Sequence, residues 1–236
     1  MSRIAPLNMA DHGALCFDRN AAGATRQIVQ LGLSEIAFAA ADMPLCLAKD
    51  ANTGRFDLIA LLGLVEPTNL FSFGGHFQAT YIPRAALLTG FRLDPNGAAG
   101  LAVDVADPTI GTDGEPLFAD GRPAPLLGHL HQALEQVMAD IAAARTLIAR
   151  YAAKRLVRPL ILSVRKADGR DHDIAGLYTI DEPAMRALPD DEVVALHRAD
   201  ALAPSTILSA SLAQIERLRQ LHNARFEPAI SSCSIG

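Results

Sequence analysis

The sequence predicts an α+β protein: a single domain with a mainly antiparallel sheet packed against one long helix, followed by a helical C-terminal region. Three observations carry this reading. Short strand-like runs are joined by hairpin-length turns, without the long crossovers that parallel strands need. One stretch, from Leu126 to about Leu156, repeats its apolar positions at helical spacing. The strand-like runs cluster before and after that stretch.

In chain order, residues 1–30 have weak periodicity and are expected to form an irregular lead-in. Residues 31–225 read as one domain and 226–236 as a tail. LGLSEIAFAAADM at 31–43 predicts a short helix with Ser34 as its cap. Ile36, Ala37 and Ala40 form its apolar stripe, Leu33 and Phe38 a staple across the cap, and Pro44 follows its end. LCLAK (45–49) and RFDLIALLGL (55–64) flank a five-residue loop ending in Gly54, a hairpin signature. NLFSF (69–73) leads to Gly74 and Gly75, from which HFQATYI (76–82) could return. Pro83 then starts the helical turn RAALLTG. FRLDP (91–95) and GLAVDVAD (100–107) pair across Asn96 and Gly97, and 108–127 reads as a long ordered loop.

The long helix places Leu130, Leu134, Val137, Ile141, Ala144, Ile148 and Tyr151 on one face, with Glu135, Asp140, Arg145 and Arg150 on the others. PLILSVRK (159–166) and IAGLYTID (174–181) are two strands joined through Ala167, Asp168 and Gly169. EPAMRAL and DDEVVALHRAD are helices divided by Pro189. Ser211 with Gln214 forms a capping-box pattern, and Ile215, Leu218 and Leu221 form the stripe of a last helix.

Composition narrows the function classes. Of 236 residues, half are apolar and a fifth charged, enough for a large core, with no Trp and many Ala. The net charge of −5 argues against a nucleic-acid binder, which carries a basic face. Cys16, Cys46 and Cys233 are far apart and include no CxxC pair, so no disulfide framework or zinc knuckle is indicated. No basic-then-apolar leader opens the chain, and its longest apolar runs fall short of the ~20 residues of a membrane helix. The expected location is therefore cytoplasmic.

The chemistry-bearing residues form no complete catalytic set. His129, His131 and Glu135 imitate a metal motif that works on strands; on a helix, residues two apart lie on opposite sides and cannot chelate together. They are kept as the alternative metal set, and no cofactor is expected. Asp171, His172 and Asp173 would suit acid–base work if they converged, against the plainer reading of a polar loop tip. No Gly-x-Ser-x-Gly elbow, Walker loop or GxGxxG occurs. Cys46 has no cation pattern marking it as reactive. Tyr81 and Arg84, flanking the junction at Pro83, are better placed for ligand contact, with Asn69 and Tyr178 as further candidates on the sheet.

PLCLAKD-ANTG-RFDLIALLGL, NLF at 69–71, ATYIP at 79–83, GEPLFADGRPAP at 114–125, GLYTIDE at 176–182, ALHRADAL at 195–202 and SLAQIERLRQL at 211–221 together resemble the SapC family in order and spacing. That family is named from a gene associated with bacterial surface-layer protein export. Its relatives occur near genes for TonB-dependent receptors, tryptophan-halogenase-like proteins and cupin-like dioxygenase homologues. The resemblance implies an accessory role in export, uptake or an associated modification. This chain departs from the pattern at Phe77, where many relatives have Trp, at LLTGF (87–91), and at Thr206 and Leu208, where Tyr and His are expected. The expected function is a non-catalytic protein that binds a protein, peptide or small molecule through Asn69, Tyr81, Arg84 and Tyr178. The alternative is a metal-assisted or acid–base enzyme.

Overall fold

The fold is described from a computed structural model, over residues 4–23, 25–65, 67–74 and 76–236. Gly75 of the expected turn and the first three residues of the lead-in lie outside these. A six-stranded sheet organises the larger core. Its strands are β1 (Ile28–Gln30), β2 (Leu45–Lys49), β3 (Phe56–Leu61), β4 (Val157–Lys166), β5 (Asp171–Ile180) and β6 (Ile230–Ile235). They lie in the order β6-β4-β5-β2-β3-β1, and every neighbouring pair is antiparallel.

Burial follows position in the sheet. Leu45, Cys46 and Leu47 are consecutive and all buried, as are Leu58 to Leu62. Successive strand side chains point to opposite faces, so the centre of the sheet is covered on both. Along β4 burial alternates instead: Leu160, Leu162 and Val164 are buried while Ile161 is exposed. One face of that end meets solvent. The predicted hairpin pairs Leu45 with Ala60 and Lys49 with Phe56. Its loop is held by Asp50 Oδ1, which accepts from the Asn52 and Thr53 amides at 2.9 and 2.7 Å, and Gly54 supplies the positive φ of 69°.

The long helix runs Pro125–Ala153, with Pro125 in its first turn where no amide is needed. It ends because Arg155 adopts a left-handed φ of 57°, returning the Leu156 amide to the Tyr151 carbonyl at 2.9 Å. The helix serves two cores. Its C-terminal half (Ala144, Leu147, Ile148, Tyr151) packs into the six-stranded sheet's core. Its N-terminal half (Leu127, Leu130, Leu134, Val137) packs on a second cluster with Leu7, Phe17, Phe91, Leu101 and Val103. That cluster is built on a three-stranded sheet, Ile4–Pro6 beside Leu101–Asp104 beside Phe91–Leu93. The expected pairing of 91–95 with 100–107 is present as Phe91–Leu93 against Leu101–Asp104.

Several elements differ from expectation. Residues 4–30, read as an irregular lead-in, contribute a strand to each sheet, because Leu7, Phe17 and Val29 each complete a core. The tail carries β6, paired to β4. The 108–127 loop contains short pairs: Ile110–Gly111 and Glu115–Pro116 both flank Cys16–Phe17, and Phe118–Ala119 pairs with Arg122–Pro123. The return strand after Gly74 is only His76–Phe77. Ser34 does not cap the 31–43 helical segment; Glu35 does so, accepting the Gly32 amide at 2.8 Å. The buried stripe there is Ile36 and Ala39, and Phe38 is exposed.

Ser211 is no cap either. Helix Leu202–Ser211 continues through Leu212–Gln214 into helix Ile215–Asn223. The buried Ser211 hydroxyl accepts the Leu45 amide at 2.9 Å and donates to the Leu208 carbonyl at 2.7 Å, pinning the start of β2. Ser211→Ala would leave that buried amide without its acceptor, at a cost of about 1–3 kcal/mol in urea unfolding. Ser209→Ala, two residues earlier and so on the far side of the helix from the sheet contact, is expected to change stability by less than about 0.5 kcal/mol.

Candidate functional site

The two cores meet at Asp140, midway along the long helix, and Ala85 packs against both. A polar network fills this seam. At its centre is Glu35, 1% exposed. Its Oε1 accepts from the Tyr81 hydroxyl at 2.8 Å and the Arg84 amide at 2.9 Å, and its Oε2 from the Gly32 amide at 2.8 Å. Hydrogen bonds to a charged group contribute about 1.5–3 kcal/mol each, so three offset a desolvation penalty of several kcal/mol. The Arg84 guanidinium adds charge balance, with Nη2 3.7 Å from Oε2.

Arg84 reaches the long helix through an ion pair with Asp140 and donates to Ser34 Oγ at 2.9 Å. Ser34 in turn donates its hydroxyl to Asp140 at 2.7 Å. A Cβ at Gly32 would overlap the Asp140 carboxylate, so only glycine lets the helix approach this closely. Burial lowers the tendency of Arg84 to stay charged, but Glu35 and Asp140 outweigh it and raise its pKa. Burial and the hydrogen bond to Glu35 push the Tyr81 phenol up, so it stays protonated. Above the network the Phe38 ring, 63% exposed, stacks on Tyr81 with centroids 5.6 Å apart.

A second carboxylate on the same helical segment grips the residue before Tyr81. Asp42 accepts from the Thr80 amide at 2.6 Å and from its hydroxyl, and forms an ion pair with Arg217. Burial raises the Asp42 pKa, but the Thr80 bonds and Arg217 prevail and hold it below its ordinary value.

The sequence-predicted residues divide. Tyr81 and Arg84 do meet, through Glu35. Asn69 is completely buried: its amide donates to the Gly23 carbonyl at 3.2 Å and accepts from Phe71 at 2.9 Å, so it shapes the backbone and offers no surface contact. Tyr178 lies in β5 opposite Leu47, its ring edge-on to Phe56 at 4.9 Å, and makes no contact with the Glu35 network among the described bonds. His131 pairs with Glu135 at 3.5 Å on the helix, while His129 is exposed. Among the described residues no three His, Cys, Asp or Glu side chains gather as a metal site.

Asp171, His172 and Asp173 lie within β5 and not on a loop tip, so His172 points away from the face of the two carboxylates. Asp171 forms a two-bond pair with Arg165 at 2.8 and 3.1 Å. Burial pushes the Cys46 thiol up to about 12, which makes it inert. Glu35 and Asp140 escaped sequence reasoning. The one available signal was the three-residue spacing of Gly32 and Glu35, a capping-box spacing.

A cavity of about 540 Å³ lies between the hairpin loop and the long helix, lined by Gly54, Phe56, Ala142, Arg145, Thr146 and Ala149. It shares no residue with the Glu35 network, and its Arg145 is held by Asp57 at 2.6 Å.

The SapC family model matches residues 7–218, nearly the whole chain. The chain belongs to the SapC family. No curated protein and no solved structure matches it. The family match takes in all of the smaller core of this SapC protein, from Leu7, and most of the larger, to Leu218, with Ile230 beyond it. No described helix is long and apolar enough to cross a membrane.

Because Asp42 ionises more readily in the folded chain than its ordinary value of 3.8, it favours the native state above that pH. Stability should fall as acid protonates it. In urea titrations at descending pH, Asp42→Asn is expected to lower stability at pH 7 and flatten the loss below about pH 4. An unchanged acid slope would remove Asp42 from that account.

Proposed function

We propose that this SapC protein is a non-catalytic binding protein, soluble in the cytoplasm, acting as an accessory factor in surface export, nutrient uptake or an associated modification. Its partner, a protein, peptide or small molecule, contacts the surface formed by Phe38, Tyr81 and Arg84. The observation that carries this reading is the exposed Phe38 ring stacked on a tyrosine whose hydroxyl is locked to a buried carboxylate. A large aromatic held out on a rigid base loses little freedom on binding, which is how interface anchors gain affinity. Family membership supports the accessory role through the export association of the family name. The separated positions of Asp171, His172 and Asp173, and the inert Cys46, support a non-catalytic role.

Phe38 makes this testable without disturbing the core. A photo-crosslinking residue placed at Phe38 in cells is expected to yield a discrete adduct, and the same probe at Ile161, also exposed, is not. Phe38→Ser should reduce recovery of that partner at least about tenfold, the loss of a hot-spot contact, with an unchanged melting temperature. Equal adducts at both positions, or full recovery with Phe38→Ser, would remove the site.

A further inference from the structure

Beyond the Phe38 surface, on the other side of the Arg84–Leu87 turn, the two sheets leave a groove of about 400 Å³. We propose that it binds an extended acidic–apolar peptide segment, added as a strand along a sheet edge. The observations concern its walls, its floor and its charge.

The walls are sheet edges. Ile28–Gln30 is the outermost strand of the six-stranded sheet, and Phe91–Leu93 the outermost of the three-stranded sheet. Both line the groove. The Val29 pairing with Ala60, bracketed by bonds from Gln27 and Leu31 to the inner strand, turns the Ile28 and Gln30 backbone groups outward. An outward edge is a template for a further strand. Proteins commonly block such edges with a covering element or an inward-pointing charge; here Ile28 and Val29 are apolar, and the charges beside the edge are two arginines, Arg26 and Arg92.

The floor is Ala85, Leu88, Leu134, Val137 and Met138. Ile28 is 48% exposed and Met138 58%, so apolar surface meets solvent along the groove. An extended peptide would set alternate side chains on this floor. Met138, unbranched and adaptable, suits varied apolar partners.

The charge identifies the partner. Arg26 and Arg92 line the groove and no carboxylate does, in a chain whose net charge is −5. Among the described residues neither arginine has an ion-pair partner. Arg92 Nη1 is fixed by the Thr89 and Phe91 carbonyls at 2.9 and 2.6 Å, so its positive charge is held at the rim. Carboxylates on the outward side chains of an added strand would meet these two cations.

The test uses the full chain and fluorescein-labelled octapeptides alternating Val with Glu, or Val with Lys. Fluorescence anisotropy should show the Val/Glu peptide binding at least about tenfold tighter than Val/Lys, the gain expected from two ion pairs at a partly buried rim. The double variant Arg26→Glu, Arg92→Glu should reverse that order, and both residues are exposed, so the fold is retained. N-methylation of alternate amides in the Val/Glu peptide should abolish binding, because an added strand needs those donors. Equal affinity for both peptides, indifference to N-methylation, or no binding of either at about 1 mM would overturn the proposal. Light scattering covers another occupant: a dimer dissociated by Met138→Lys would mean that a second copy fills the groove, and would also overturn it.

Discussion

The buried carboxylate of Glu35 is the constraint on which the arrangement of the two cores depends. A charge at 1% exposure is tolerated only when its oxygens are fully engaged. The three donors that engage it come from separate places: Gly32 from the same turn, Tyr81 from an irregular segment and Arg84 from the start of a helical turn. Satisfying Glu35 therefore fixes where residues 81–84 run. The Arg84 side chain then carries the constraint to Asp140 on the long helix, and Ser34 closes the circuit. Removing one partner would leave the others buried and unmatched, which costs far more than a surface pair of the same geometry.

This explains why one helix can hold two sheets at a defined angle. Apolar packing alone fills each core but is tolerant of small shifts. The helix buries Leu127 to Val137 in one cluster and Ala144 to Tyr151 in the other, and Asp140 lies between them. A directional polar contact at that position sets the helix axially against both cores. Gly32 is the geometric condition for it, since any side chain there would displace the Asp140 carboxylate.

Much of the fold was legible in the sequence because it is encoded locally. The hairpin of β2 and β3 has its loop chemistry in Asp50, Thr53 and Gly54, and the long helix shows its stripe over many turns. The unread parts depend on contacts distant in sequence. Ile28–Gln30 and Ile230–Ile235 are short edge strands, recognisable only once their partners are in place. Ser211 matches a capping pattern, yet the chain before it is already helical, and its hydroxyl serves an amide 166 residues away. The seam was hidden for the same reason. Asp140 reads as part of a solvated helix face until the Arg84 turn is brought against it. Asn69 shows the reverse error, a polar residue near apolar runs whose amide is consumed by backbone.

Three of the segments that carry the family resemblance, 44–64, 79–83 and 211–221, converge in space, and that convergence explains why they say little about a ligand. Residues 79–83 meet 211–221 through Asp42, which holds Thr80 on one side and Arg217 on the other. Residues 211–221 meet the 44–64 hairpin through Ser211 and Leu45. Tyr81 joins the same assembly through Glu35. These motifs are thus the joints of a scaffold, tied to one another directly, as Ser211 is to Leu45, or through Glu35 and Asp42. A residue whose polar groups are already matched inside the fold has little left to offer a partner. The surfaces outside the joints are the Phe38 ring and the groove between the two sheet edges, with Arg26 and Arg92 at its rim. The side chains that the scaffold positions but does not use therefore lie where the signature stops, which is why the signature names the family and not a ligand.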